Sequence, residues 1–202
     1  MFNEDNTTEQ MIISTLRRNG WTYMAPRDLP RKNGDVMVES MVKDALIRLN
    51  PEIAEDESFA DIVIHKLRTI ILSTNEHNLV TQNELFKTMV FDNNSYPFGE
   101  DGQQVSVDFF GTEINGRLEQ NEYVVTNQWE YRGKRLDIVL LVNGFPMAVG
   151  ELKTPVRAAV TWLDGAMDIS DYERSIPEMF TMNVFNFATE GKAYRYGSVN
   201  MP

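Results

Sequence analysis

The sequence predicts an α/β protein in which a helical first half leads into a mixed sheet with helices packed on it. Three observations carry this. Apolar residues recur at spacings of three and four between Val38 and Ile71. From Val105 onward, runs rich in β-branched and aromatic residues replace that period. Two long apolar runs then meet at Asn143-Gly144, a strong hairpin-turn signal.

Taken in order, Thr7-x-x-Gln10 can form a capping box, and Gly20 can end the helix that follows. Trp21 and Tyr23 alternate like a short strand. Val38, Met41, Val42, Ala45, Leu46 and Leu49 line a second helix, stopped by Asn50-Pro51. Phe59, Ile62, Val63, Leu67, Ile70 and Ile71 line a third. Strands are expected over Val105–Phe110, Tyr123–Trp129, Leu136–Val142 and Phe145–Lys153. A helix should run from Ala158 to about Arg174, ending before Pro177. Met182–Ala188 and Ala193–Tyr196 form a last hairpin around Glu190-Gly191-Lys192. The chain reads as a single domain over 1–202, mainly helical to about residue 100 and carrying its sheet from about 101.

Composition narrows the class. No apolar run approaches bilayer-spanning length. The N-terminus lacks the basic start and apolar stretch of a signal peptide. Without cysteine there are no disulfides or thiolate metal sites. These features point to a cytoplasmic protein without membrane partners. Nineteen basic residues against thirty acidic ones leave a net charge of −11, a poor footprint for a freestanding DNA binder. A local exception lies between Tyr131 and Arg157. There Arg132, Lys134, Arg135, Lys153 and Arg157 face only Asp137 and Glu151.

That stretch carries the chemistry. Asp137 stands at the start of one apolar strand, and the returning strand ends in Glu151-Leu152-Lys153. Residues two apart on a strand share a face, so Glu151 and Lys153 point the same way. Two carboxylates offer the hard oxygen ligands that Mg²⁺ prefers. A neighbouring lysine can orient a water or stabilise charge at phosphorus. The bare spacing is common on solvated sheet edges. Context raises it, because both charged ends flank long apolar runs at one end of one hairpin.

Several segments resemble a known family. They are Gly116-Arg-Leu-Glu-Gln-Asn-Glu-Tyr-Val-Val-Thr-Asn-Gln-Trp129, then Arg135-Leu-Asp-Ile-Val139, Val142-Asn-Gly-Phe-Pro146, Gly150-Glu-Leu-Lys-Thr-Pro155, and Tyr172 with Pro177-x-x-Phe180. Upstream, Glu9, Leu16, Gly20-Trp21 and Leu49-Asn50-Pro51 also fit. Together they look like the N-terminal nuclease domain of the restriction (motor) subunit of type I restriction enzymes, of the PD-(D/E)xK, restriction-endonuclease-like fold. The resemblance implies a Mg²⁺-dependent endonuclease cutting duplex DNA, with Mn²⁺ able to substitute. Asp137 and Glu151 would hold metal, joined by the Leu152 backbone carbonyl and, as a further candidate, Glu9. Lys153 would serve the attacking water. Arg135, Arg157, Asp168 and Tyr172 would edge the site or touch DNA.

The resemblance also implies partners. The family's subunit works with methyltransferase and specificity subunits and carries an ATP-driven motor. No Gly-x-x-x-x-Gly-Lys-Ser/Thr loop occurs here. The chain therefore reads as a fragment of a larger subunit, with ATP acting only through the missing motor. Two departures stand out. Leu136 replaces the proline that often precedes the strand aspartate. Asp168 replaces the glutamine that usually lies four residues before Tyr172. Two competing readings are a catalytically idle docking module of the same fold and an unrelated repair or junction-resolving nuclease.

Register supplies a geometric expectation. A plain two-residue turn at Asn143-Gly144 would pair Asp137 with Gly150 and put Glu151 on the opposite face. A shared metal requires an odd loop, or a β-bulge near Pro146 or Gly150.

Overall fold

The computed structural model describes residues 7–92, 94–153 and 161–200. The first helix, α1 (Thr7–Arg18), is followed by a two-residue strand, β1 (Thr22–Tyr23). Four helices come next: α2 (Glu39–Leu49), α3 (Pro51–Glu55), α4 (Ser58–Leu72) and α5 (Leu79–Lys87). The short strands β2 (Ser95–Tyr96) and β3 (Val105–Ser106) pair only with each other. The strand expected over Val105–Phe110 is thus limited to its first two residues. Beyond them Phe109 turns into the core, where it is fully buried.

The main sheet has six strands in the order β1-β4-β5-β6-β7-β8. Its long members are β4 (Tyr123–Tyr131), β5 (Lys134–Val142) and β6 (Phe145–Leu152), an antiparallel meander. Helix α6 (Trp162–Ser175) follows, its start defined by a Thr161–Asp164 capping box. The chain then crosses to β7 (Phe185–Thr189), parallel to β6, and ends on β8 (Tyr194–Gly197) at the edge. The expected helix from Ala158 is seen from Trp162, since residues 154–160 lie outside the described chain.

Strand β5 is apolar throughout its middle because both faces are covered. Val139 and Leu141 join the larger core, shared with α2, α4 and α6. Ile138 and Leu140 join a smaller one beneath Ile13 of α1. The larger core draws on both halves of the chain, so the helical section and the sheet fold against each other. Trp129 lies in it as expected of a core tryptophan, at 1% exposure.

The β5–β6 hairpin settles the register question. Val142 pairs with Phe145 across a two-residue turn, with Asn143 at φ 52° and Gly144 at φ 84°. The left-handed angles at both positions fit a turn that matches strand twist. The register then shifts between Leu140 and Leu141: Leu141 pairs with Pro146, but Leu140 pairs with Ala148. The extra residue is Met147. This bulge, rather than an odd loop, restores the parity. Ile138 pairs with Gly150, so the same register places Asp137 opposite Glu151 on one face.

Candidate active site

The β5–β6 pairing ends at Ile138 and Gly150. Beyond that point the Leu152 N–H donates to Asp137 Oδ2 at 2.8 Å instead of to the neighbouring strand. The aspartate thereby occupies the gap where the strands part. Leu152 meets the site through its amide. Lys153 N–H donates to the Thr189 carbonyl at 2.9 Å, which ties the end of β6 to β7.

Glu151 is 5% exposed, and its Oε2 has no hydrogen-bond partner. Its Oε1 accepts from Lys153 Nζ at 3.3 Å. Burial, reinforced by the nearby Asp137 charge, pushes the Glu151 carboxyl up to about 8. Burial works against the Lys153 charge, but Asp168 and Glu151 outweigh it and hold the ammonium above the usual lysine range. Asp168 contacts Lys153 Nζ directly, so the acid at the family's glutamine position faces the site.

Helix α6 supplies that acid because Gly165 lets it lie close. A Cβ there would come within 3.2 Å of Ala188 Cβ and 3.3 Å of the Glu151 carbonyl oxygen. One turn on from Asp168, the Tyr172 hydroxyl donates to the Arg135 carbonyl at 3.4 Å. Burial first, then Glu151, Asp168 and Asp137, raise the Tyr172 phenol. Asp168 and Tyr172 therefore share the face that borders the site.

Two residues missed in the sequence complete the arrangement. Gln128, directly across from Asp137 in the β4–β5 register, sits at φ 49°. From there its Nε2 donates to Glu9 Oε2 at 2.7 Å and to Asp137 Oδ1 at 3.4 Å. Asn127 Nδ2 donates to Glu9 Oε1 at 2.7 Å, and its own Oδ1 accepts from the Tyr23 hydroxyl at 2.9 Å. Glu9 is 6% exposed. It is neither a solvated helix residue nor in contact with Asp137, because Gln128 stands between them. The available signal was a polar pair, Asn127-Gln128, interrupting an apolar strand.

The local basic patch is corrected by its partners. Arg132 pairs with Glu178 at 2.5 Å, and Lys134 pairs with Asp171 at 2.6 Å. Lys153 is held by Asp168 and Glu151. Arg135 remains exposed without an ion pair among the described residues. Arg157 lies outside them.

At the site itself, Asp137, Glu151 and Asp168 outnumber the single ammonium of Lys153. That surplus, with an unpartnered buried carboxylate oxygen, is the environment a divalent cation relieves. Among the described residues no group of three or more His, Asp or Glu side chains gathers as a ready ligand set. The donors at hand are the Asp137–Glu151 pair. This fits Mg²⁺, which commonly takes one or two carboxylates and keeps several waters.

A mixed sheet flanked by helices, with two acids and a lysine where two strands part, defines a nuclease-like α/β class. The whole chain, residues 1–202, matches the family described as the N terminus of the type I restriction enzyme R protein, and it belongs to that family. The type I restriction enzyme HindI endonuclease subunit of Haemophilus influenzae is 29% identical over 99% of the chain and 19% of its own length. A Methanocaldococcus jannaschii protein, provisionally named the MjaIXP endonuclease subunit of a type I restriction enzyme, is 23% identical over 97% of the chain and 19% of its own length. The chain thus spans about a fifth of the length of these curated relatives. Among the described residues no helix is long and apolar enough to cross a membrane.

Proposed function

We propose that this chain is the Mg²⁺-dependent nuclease module of a type I restriction subunit, hydrolysing phosphodiester bonds in duplex DNA. The observation that carries the reading is the Met147 bulge. It brings Asp137 opposite Glu151 although the turn between them has two residues. Asp137 and Glu151 would hold the metal, with Mn²⁺ able to substitute. Bound there, the metal would neutralise charge at the phosphate and lower the pKa of a coordinated water.

The protein's own contribution is placement. Gln128 and the Leu152 N–H fix the two Asp137 oxygens. Lys153 keeps its proton beside Glu151 and can direct a donor toward the phosphate or the attacking water. Glu9, anchored by Asn127 and Gln128, braces Asp137 from behind rather than binding metal directly. As the family resemblance implies, the chain would work beside a motor, whose ATP use lies outside this module, and beside methyltransferase and specificity subunits in the cytoplasm.

The test is cleavage of plasmid DNA in Mg²⁺ or Mn²⁺ by the assembled complex. Asp137→Ala, Glu151→Ala and Lys153→Ala should each abolish cutting while ATP hydrolysis continues. Wild-type cutting by any of the three would sink the assignment. Calorimetry separates the competing docking-module reading, since an idle domain would show no metal affinity that Asp137→Ala removes.

A further inference from the structure

We infer that the phosphate backbone of the DNA is gripped by three cations flanking the site, Arg135, Lys192 and Arg195. This rests on the nuclease reading and adds the surface that receives the substrate. At a net −11, the protein repels nucleic acid except where cations are left uncommitted. Three of the cations close to Asp137 and Glu151 in sequence, Arg132, Lys134 and Lys153, are already paired with Glu178, Asp171 and Asp168. Arg135, Lys192 and Arg195 are exposed, and none has an ion-pair partner among the described residues.

Topology puts Arg135 and Arg195 on the site's face of the sheet at its two flanks, with Lys192 in the turn beside α1 at the same end. Arg135 lies two residues before Asp137 on β5, so the two share a face. Its cross-strand neighbour Glu130 makes no ion pair with it. On the other flank, Glu151 pairs with Ala188, and Ala188 pairs with Arg195, forming one row across β6, β7 and β8. Partners in a row share a face, so Arg195 stands on the Glu151 side of the sheet. Its guanidinium lies 5.3 Å from the centroid of the Trp162 ring at the start of α6, and Nη1 donates to the Tyr194 carbonyl. The aromatic contact steadies the group while leaving its other donors outward.

Lys192 belongs to the β7–β8 turn, three residues beyond the Thr189 carbonyl that accepts from Lys153 N–H. Its neighbour Glu190 makes no ion pair with it, and Glu190 Oε1 instead accepts from the Ala193 N–H at 3.0 Å. At about 4.8 Å between strands, β5 and β8 are roughly 14 Å apart. That span is about four base-pair rises of B-DNA, with the candidate active site between the two flanks.

The experiment measures binding of the chain to a duplex oligonucleotide in EDTA, from low to moderate salt. Lys192→Ala combined with Arg195→Ala should weaken binding about tenfold and lower the salt slope by about two, and Arg135→Ala should lower it by about one. Arg17→Ala with Arg18→Ala, an equal charge change on α1, should leave the slope in place. An equal loss in that control pair would overturn the proposal, because attraction would then be diffuse. Absence of binding even at low salt would overturn it too. The two readings fail separately. Metal-dependent cutting that ignores all three cations sinks the surface and spares the nuclease. Binding through them without cutting in any divalent cation does the reverse.

Discussion

The two ends of the β5–β6 hairpin obey opposite rules. At the turn, Asn143 is fully buried and every side-chain polar atom is used. Its Oδ1 accepts from the Glu122 N–H at 2.8 Å and from Arg48 at 3.3 Å, and its Nδ2 donates to Phe109 O and Asn121 Oδ1 at 3.0 Å each. At the other end, Glu151 Oε2 is buried without a partner, and two acids, Glu151 and Asp168, share one lysine. The same two strands thus carry one end built for stability and one that buries an acid at a cost. The first fixes the register on which the second depends. This is how functional sites persist at a cost to the fold: neighbouring structure holds them in place.

The largest effect should come from breaking the stable end. Gly144 sits at φ 84°, and a Cβ there would meet Val38 O at 2.6 Å. Left-handed strain and a backbone clash together should cost Gly144→Val about 3 kcal/mol or more. Denaturant unfolding would check this. A loss under 1 kcal/mol would mean that the turn does not set the register.

At the charged end the sign reverses. The Glu151 carboxyl is held near 8 in the folded, metal-free protein against an ordinary 4.5. Between those values the native state keeps a proton that the unfolded chain has released. Stability therefore falls as pH rises through that window, by up to about 1.4 kcal/mol per unit, and is flat above it. In EDTA, Glu151→Gln should match wild type near pH 4 and exceed it increasingly toward pH 8. A difference that does not grow with pH would show that Glu151 is ionised without a metal.

Gln128→Ala tests the brace. It leaves Glu9 Oε2 and Asp137 Oδ1 without a donor, so a loss of about 1–3 kcal/mol is expected. Divalent-cation affinity should also drop about tenfold, the usual result of removing a group that orients a ligand. Unchanged affinity would detach Glu9 from the site.

What the sequence disclosed follows the same division. Features with a period or a turn signature were legible: the helices over α2 and α4, the meander strands, the Asn143-Gly144 turn. So was the parity problem, because strand side chains alternate strictly and any shared-metal geometry needs an odd residue. Which device would supply it was not, since a bulge at Met147 depends on tertiary packing. Gln128 was hidden for a similar reason. Its role requires φ 49° within a strand, which no residue pattern announces. The basic patch misled because a run of cations says nothing about acids that arrive from α6 and from Glu178 much later in the chain. Arg157 falls outside the described residues.

Asp168→Gln should give the smallest and most telling change. The aspartate side chain is 44% exposed, so its ion pair with Lys153 is screened and contributes about 1 kcal/mol at most. Folding should hardly respond. The local consequence is larger in kind than in size. Losing Asp168 removes one of three acids and leaves Glu151 as the acid beside Lys153, at 3.3 Å. The site then carries less negative charge, so Mg²⁺ should bind a few-fold more weakly and DNA a few-fold more tightly. Glutamine still offers an oxygen to the ammonium, which keeps the lysine placed. Calorimetry with Mg²⁺ and DNA binding at fixed salt would read the two effects separately. If both constants stay at wild-type values, the Asp168–Lys153 contact is an ordinary surface pair. The contrast between the hairpin's two ends would then rest on Asp137 and Glu151 alone.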